Sequence, residues 1–141
     1  MVEVKFKKPH LKKLLIFDLD ETLSHCVRQP KPEMPPHVYL DITDPKGNIR
    51  RVGFNIRPFT QEILKEANKN FEVAVFTASN AAYANNVIDY IDPTGELIQH
   101  RFFRPSCILQ EDVYIKDLRI FKNVPLKDIL IVDNAVYSFG E

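Results

Sequence analysis

The sequence predicts an α/β fold: a parallel sheet flanked by helices, with a small β-hairpin insert after the first strand. Three observations carry this. Three short apolar runs, LLIF at 14–17, FEVAVF at 71–76 and ILIV at 129–132, lack the alternation of a half-exposed strand. Such runs read as strands buried on both faces. Helical spacing of apolar residues occupies the segments between them. Each run then ends in polar residues: Asp18-Leu19-Asp20, Thr77-Ala78-Ser79 and Asp133-Asn134. In a parallel sheet, ligands bind beyond the carboxyl ends of the strands.

The elements follow in order. After the first run comes QPKPEMPPH, with four prolines between positions 30 and 36. This density bars both helix and central strand. Alternation begins at Val38, Leu40 and Ile42, breaks at DPKGN and resumes through Val52, Phe54 and Ile56. Residues 37–57 therefore read as a β-hairpin, either a surface ribbon or a wall beside a site. Pro58 suits a first helical turn, and Phe59, Ile63, Leu64 and Ala67 recur at helical spacing, predicting a helix over 58–69. Ser79 or Asn80 can cap the next helix, carried by Tyr83, Val87, Ile88 and Ile91 and ended by DPTG at 92–95. HRFFRPSC holds another short strand, YIKDL follows, and short helical turns are expected near 118–121 and Pro125.

Composition narrows the function classes. A chain of 141 residues with 45% hydrophobic residues suits one folded domain and argues against disorder. Nineteen basic residues balance nineteen acidic ones, whereas a nucleic-acid binder carries a basic excess. The basic start, MVEVKFKKPHLKK, has too short an apolar run for a signal peptide or spanning helix and reads as a solvated flank over 1–12. The domain proper then runs over 13–141, with the insert at about 29–57. Cys26 and Cys107 are too few for a disulfide framework and read as reduced, in nucleus or cytoplasm. The four histidines show no metal-ligand spacing.

Neighbouring strands lie about 5 Å apart, so polar groups at three adjacent strand ends converge on one small site. Asp18, Asp20, Asp133 and Asn134 supply oxygens of the kind that suit Mg²⁺. A calcium loop is excluded, because Leu23 stands at the sixth position, where that loop needs glycine. A carboxylate can attack phosphorus, and a second carboxylate two residues on can protonate the leaving oxygen and then activate water. Thr77 offers a hydroxyl to a phosphoryl oxygen, and Lys116 a point charge. Each residue alone has a blander reading: helix cap for Thr77 and Ser79, turn for Asp133-Asn134, solvated surface for Lys116. Their shared position at strand ends favours the joint one.

DLDETLSH at 18–25, Arg57-Pro58, FTAS at 76–79, FRPSC at 103–107, YIKDL at 114–118 and IVDN at 131–134 resemble the haloacid dehalogenase superfamily. More narrowly, they are similar to the small phosphatases of the RNA polymerase II C-terminal domain (CTD) and of the nuclear LIM interactor-interacting factor group. The resemblance implies a HAD-like (Rossmannoid) fold and a Mg²⁺-dependent phosphoserine/phosphothreonine phosphatase acting through an aspartyl-phosphate. Asp18 would be the nucleophile and Asp20 the general acid/base. Thr77 and Lys116 would hold the phosphoryl group. Asp18, Asp20 (through its main-chain carbonyl) and Asn134 would ligate the metal, supported by Asp133. Thr22, Ser79 and Arg104 would lie on the substrate side, and Leu40, Ile42 and Val52 would form an apolar wall. The partner would be a phosphoprotein or phosphopeptide, with no nucleic acid, no membrane and a monomeric enzyme.

Three departures from that pattern stand out. Arg28 and Asn80 occupy positions that are often aromatic and apolar in the group. Ala135-Val136 replaces the usual Ser-Pro after the last motif. The group continues with another strand and a helix past this point, so the expectation is either a sequence cut short of them or a sheet with an open edge. Two other classes compete: a non-catalytic adaptor of the same fold, and a phosphatase for small metabolites. Retention of Asp18, Asp20, Thr77, Lys116 and Asn134 argues against the first. A small insert, which leaves the cleft open to a protein segment, argues against the second.

Overall fold

The computed structural model describes residues 2–44 and 46–134. A four-stranded parallel sheet has the order β6-β5-β1-β9, built from β1 (Leu14–Phe17), β5 (Glu72–Phe76), β6 (His100–Phe102) and β9 (Ile129–Val132). LLIF thus lies between FEVAVF and ILIV, with Phe17 beside Val75 on one neighbour and Val132 on the other.

The absence of alternation in these runs has a simple cause. Side chains alternate between faces with period two, and both faces of the central strands are covered. Leu15, Phe17, Val73 and Val75 join a core that includes Leu19, Leu64, Val87 and Ile88. Leu14, Ile16, Ala74 and Phe76 join a second core with Val4, Phe121 and Val124. The rings of Phe76, Phe102 and Phe121 meet there at 4.9–6.0 Å. Strand β9 departs from the expectation. Ile129 is buried, but Leu130 and Val132 are 56% and 44% exposed. Among the described residues nothing covers that face. The expected turn residue Pro45, the Ala135-Val136 departure and the C-terminal sheet edge lie outside the described residues.

The insert is larger than a ribbon. Strands β3 (Val38–Thr43) and β4 (Ile49–Ile56) pair antiparallel, as expected, but β2 (Ser24–Val27) flanks β4 on its other side. Pro36 is buried against Gly53, where a Cβ would stand 2.5 Å from the proline Cγ. That glycine lets the Pro-rich segment lie flat on the sheet. Helix α1 spans Thr60–Ala67 and is shorter than expected. Phe59 takes a left-handed conformation with φ 64° and is 73% exposed, so Pro58 and Phe59 form a turn before the helix. Helix α2 spans Ala81–Ile91 and is capped by Asn80, whose side-chain oxygen accepts the Tyr83 N–H at 2.9 Å. Of the two predicted caps, Asn80 takes the role.

Two features were not predicted. Strands β7 (Ile108–Gln110) and β8 (Val113–Ile115) form a small hairpin turned by Glu111 and Asp112, both at positive φ. The N-terminal segment is docked, which corrects the expectation of a solvated flank. Val4 is buried in the second core. The Lys7 and Lys8 N–H groups donate to the fully buried Glu72 carboxylate, at 2.5 and 3.0 Å, and His100 Nε2 lies 2.8 Å from it.

Candidate active site

The Asp-Leu-Asp motif works because its middle residue is an anchor. Leu19 is fully buried, which sends the side chains before and after it toward the strand end. Its carbonyl accepts the N–H groups of Thr22, Leu23 and Ser24 at 2.9–3.3 Å, winding the chain into a tight turn. Glu21 enters that turn at φ 66°, a conformation that costs most residues roughly 1 kcal/mol. Arg57 braces it from outside: its N–H donates to the Leu23 carbonyl at 2.9 Å and its guanidinium donates to the Thr22 and Glu21 carbonyls.

Asp18 ends β1 at 6% exposure. Its Oδ1 accepts from Lys116 Nζ at 2.6 Å, and the same ammonium donates to Asp133 Oδ2 at 2.6 Å. One buried cation therefore joins the ends of β1 and β9 from the segment after β8. Asp117 holds that segment in place, its carboxylate accepting the Arg119 N–H at 3.0 Å and so capping the next turn. Burial pushes the Asp18 carboxyl up, to about 6, against the Lys116 ammonium, which pulls it down.

Asp20 is half-buried and faces the other way. Ser79 Oγ donates to its Oδ2 at 2.8 Å and Tyr83 Oη donates to its Oδ1 at 3.0 Å, while Thr77 Oγ1 lies 3.5 Å from Oδ2. The Thr77 hydroxyl also accepts the Ser79 N–H at 3.1 Å. Burial and the negative charge of Asp20 raise the Tyr83 phenol far above its usual range, so it stays a donor.

The two carboxylates thus sit in different surroundings: Asp18 beside a cation, Asp20 beside neutral hydroxyls. That difference suits two roles for two acids. A cleft of about 720 Å³ opens beside Asp20, with Arg28, Tyr83 and Arg104 on its walls.

The donor set bears on a metal. Among the described residues no three His, Cys, Asp or Glu side chains form a cation cage. The available set is two carboxylates and an amide. With its NH₂ turned inward, Asn134 donates to Asp18 Oδ2 at 2.9 Å and to Asp133 Oδ1 at 3.2 Å. With the amide turned over, three oxygens face one another, an arrangement that repels unless a hard cation shares them. Few carboxylates plus neutral oxygens is the usual manner of holding Mg²⁺, so these residues fit that ion.

The structure therefore brings together Asp18, Lys116, Asp133 and Asn134 in one cluster, and Asp20, Thr77 and Ser79 in an adjoining one. Arg104 lies across the cleft, its Nε donating to the Ala78 carbonyl at 2.7 Å and its guanidinium over the Tyr114 ring. Thr22 differs from its expected place: it is buried at the back of Asp18, its hydroxyl 3.4 Å from Oδ2. Leu40, Ile42 and Val52 pack mainly into the core under the insert. Only Ile42 and Val52 also reach a groove, one that adjoins the cleft. Sequence reasoning gave Tyr83 only a place in a helix and Arg57 only a place among the matching motifs, and assigned neither a role at the site. Tyr83 lies in the first turn of the helix that Asn80 caps, directly after the Thr77-Ala78-Ser79 strand end, and that position was the available signal.

A parallel sheet whose central strand delivers two carboxylates to its carboxyl end, under an antiparallel insert, defines a HAD-like α/β protein. A family profile described as NLI interacting factor-like phosphatase matches residues 13–141, and the chain belongs to that family. CTD small phosphatase-like protein 2 of Dictyostelium discoideum is 38% identical over 128 residues, covering 89% of this chain and 21% of the relative. CTD small phosphatase-like protein 3 of Caenorhabditis elegans is 40% identical over 129 residues, covering 89% of this chain and 42% of the relative. The chain thus spans between about a fifth and two-fifths of these relatives. In fold it is similar to the fission yeast RNA polymerase II CTD phosphatase Fcp1 bound to beryllium fluoride. The TM-score is 0.77 at 21% identity, covering 94% of this chain and 40% of that one.

Proposed function

We propose that this chain is a Mg²⁺-dependent phosphoprotein phosphatase acting on phosphoserine or phosphothreonine. One observation carries the reading: two carboxylates two residues apart, one 2.6 Å from a buried ammonium and the other held by two hydroxyl donors. Asp18 is the nucleophile. Its carboxylate oxygen forms a bond to phosphorus as the phosphorus–oxygen bond to the serine or threonine breaks. Asp20, protonated at this stage, gives its proton to the departing alkoxide. Asp20 then takes a proton from water, whose oxygen attacks phosphorus, frees inorganic phosphate and restores the Asp18 carboxylate. Lys116 and Thr77 counter and orient the phosphoryl oxygens. Asp18, Asn134 and the main-chain carbonyl of Asp20 would hold Mg²⁺, with Asp133 beside them; bound there, the ion neutralises charge between nucleophile and phosphate.

The polymerase tail named in several relatives is one candidate substrate. An adaptor role gains no support from this geometry. A buried cation between two carboxylates is weak as a stability device and has a clear use in phosphoryl chemistry. The test is hydrolysis of an aryl phosphate and of phosphoserine peptides, with Mg²⁺ and with chelator, by wild type and Asp18→Asn. Activity is expected only for wild type with Mg²⁺, with inhibition by beryllium fluoride. Equal rates for wild type and Asp18→Asn would falsify the enzyme reading.

A further inference from the structure

The cleft beside Asp20 does not end there. It runs on into a second groove of about 580 Å³ along the inner side of the insert, and Cys26, Arg28, Asn80 and Tyr83 line both. The pairing register decides which side chains face it. Cys26 stands opposite Phe54, and Val52 lies between them and Arg50 along the same face of β4. Period-two alternation puts Arg28, just past the end of β2, on that face too. Both guanidiniums act on the Cys26 thiol, which burial raises while Arg28 and Arg50 oppose it.

The charges along this path are unequal. Among the described residues Arg28 and Arg50 are exposed and neither makes an ion pair. The acids nearby are committed. Asp20 is held by Ser79 and Tyr83. Glu21 lies 2.6 Å from His25 Nδ1. Asp44 accepts the N–H groups of Lys46 and Asn48. Arg104 on the opposite wall is bound to the Ala78 carbonyl. A ligand that enters this groove meets two guanidiniums with no acid in ion-pair contact, although Asp44 on the same groove feels the charge of Arg50. Guanidinium groups match carboxylate and phosphate oxygens in paired hydrogen bonds.

We propose that this groove selects phosphopeptides with a second anionic group, an acidic side chain or another phosphate, within a few residues of the scissile phosphate, and that Arg28 and Arg50 receive it. The inference rests on the phosphatase reading and adds a substrate class to it. An extended peptide advances about 3.3 Å per residue, and because the two grooves share the walls Cys26, Arg28, Asn80 and Tyr83, a side chain a few residues from the phosphoserine is the one placed to enter the second. An anion there gains charge-assisted bonds, whereas an apolar or basic residue leaves the arginines unmatched.

The test uses phosphoserine peptides in which one Glu is walked from three residues before the phosphoserine to three residues after. Each is matched by a Gln peptide and by one with a second phosphoserine at that position. For wild type, kcat/KM is read as a ratio within each pair; for Asp18→Asn, the dissociation constants are read by fluorescence anisotropy. At the best position the Glu/Gln ratio is expected to be roughly fivefold at low salt, the upper range for an exposed charge pair. It should be greater for the second phosphate and should shrink as salt rises. In R28Q/R50Q the ratio should collapse toward one, and R28E should favour a Lys peptide. Because each value is a ratio of two peptides on one protein, partial misfolding cancels. Ratios near one at every position, or ratios unchanged in R28Q/R50Q, overturn the proposal and leave the phosphatase reading intact. If wild type hydrolyses no peptide, the phosphatase reading fails, and the binding ratios still decide the groove.

Discussion

Asp20 is the residue whose surroundings say most about its chemistry. A carboxylate that must stay ionised to attack phosphorus belongs beside a cation, and Asp18 has the Lys116 ammonium at 2.6 Å. Asp20 instead receives two neutral hydroxyls, from Ser79 and Tyr83. If it is the acid for the leaving oxygen, removing one hydroxyl should hurt poor leaving groups most. Tyr83→Phe keeps the ring against Phe54, 5.6 Å away between centroids. It is expected to lower kcat on phosphoserine peptides roughly tenfold, the value of a hydrogen bond to a charged group. Nitrophenyl phosphate, whose leaving group needs no proton, should be affected far less. Equal losses on both substrates would assign Tyr83 a structural role only. Lys116→Met makes the complementary case. It leaves Asp18 and Asp133 facing each other without their cation, and stability should fall by about 3 kcal/mol, read from urea denaturation, together with all activity.

Elements were legible where their physics is local. LLIF and the VAVF of β5 announced strands buried on both faces because no side is left for polar residues, ILIV announced a strand but not its half-exposed face, and Asn80 was one of two caps on offer. The hairpin of β7 and β8 was hidden. Its two-residue turn has positive φ at both Glu111 and Asp112, as a type I′ turn requires, yet lacks the Asn-Gly that signals one. Replacing Glu111-Asp112 by Asn-Gly is therefore expected to stabilise the protein by roughly 1 kcal/mol, seen as a higher melting temperature. Strand β2 was obscured for another reason: SHCV belongs to both the catalytic motif and the insert, and only pairing with β4 reveals the second use. Gly53 makes the opposite prediction to the turn. Gly53→Ala puts a methyl into Pro36 and should cost about 1–3 kcal/mol, measurable by the same denaturation.

At the scale of the whole molecule, the site was legible as a set because strand ends converge by topology, whatever the loops do. What could not be read was contact over long sequence distance: Tyr83 onto Asp20, and the N-terminal segment onto Glu72. The latter is a fold-wide fastening. Residues 2–8 cover one face of the sheet through Val4 and supply two N–H groups to a carboxylate with no exposure to water. Deleting them should destabilise the domain by about 3 kcal/mol or more, from a stripped buried carboxylate and lost apolar cover. Unchanged urea midpoints would show that Glu72 finds other donors.

The single carbonyl of Leu19, shared by three amides, has a dynamic consequence. A loop clamped at one oxygen and plugged into the interior by its own leucine has no independent way to open. The amide protons of Thr22, Leu23 and Ser24 should then exchange with deuterated solvent as one group, and only at the pace of global unfolding. Should that exchange be seen, access to the cleft would have to come from movement of the surrounding walls, and not of the turn that carries Asp18 and Asp20.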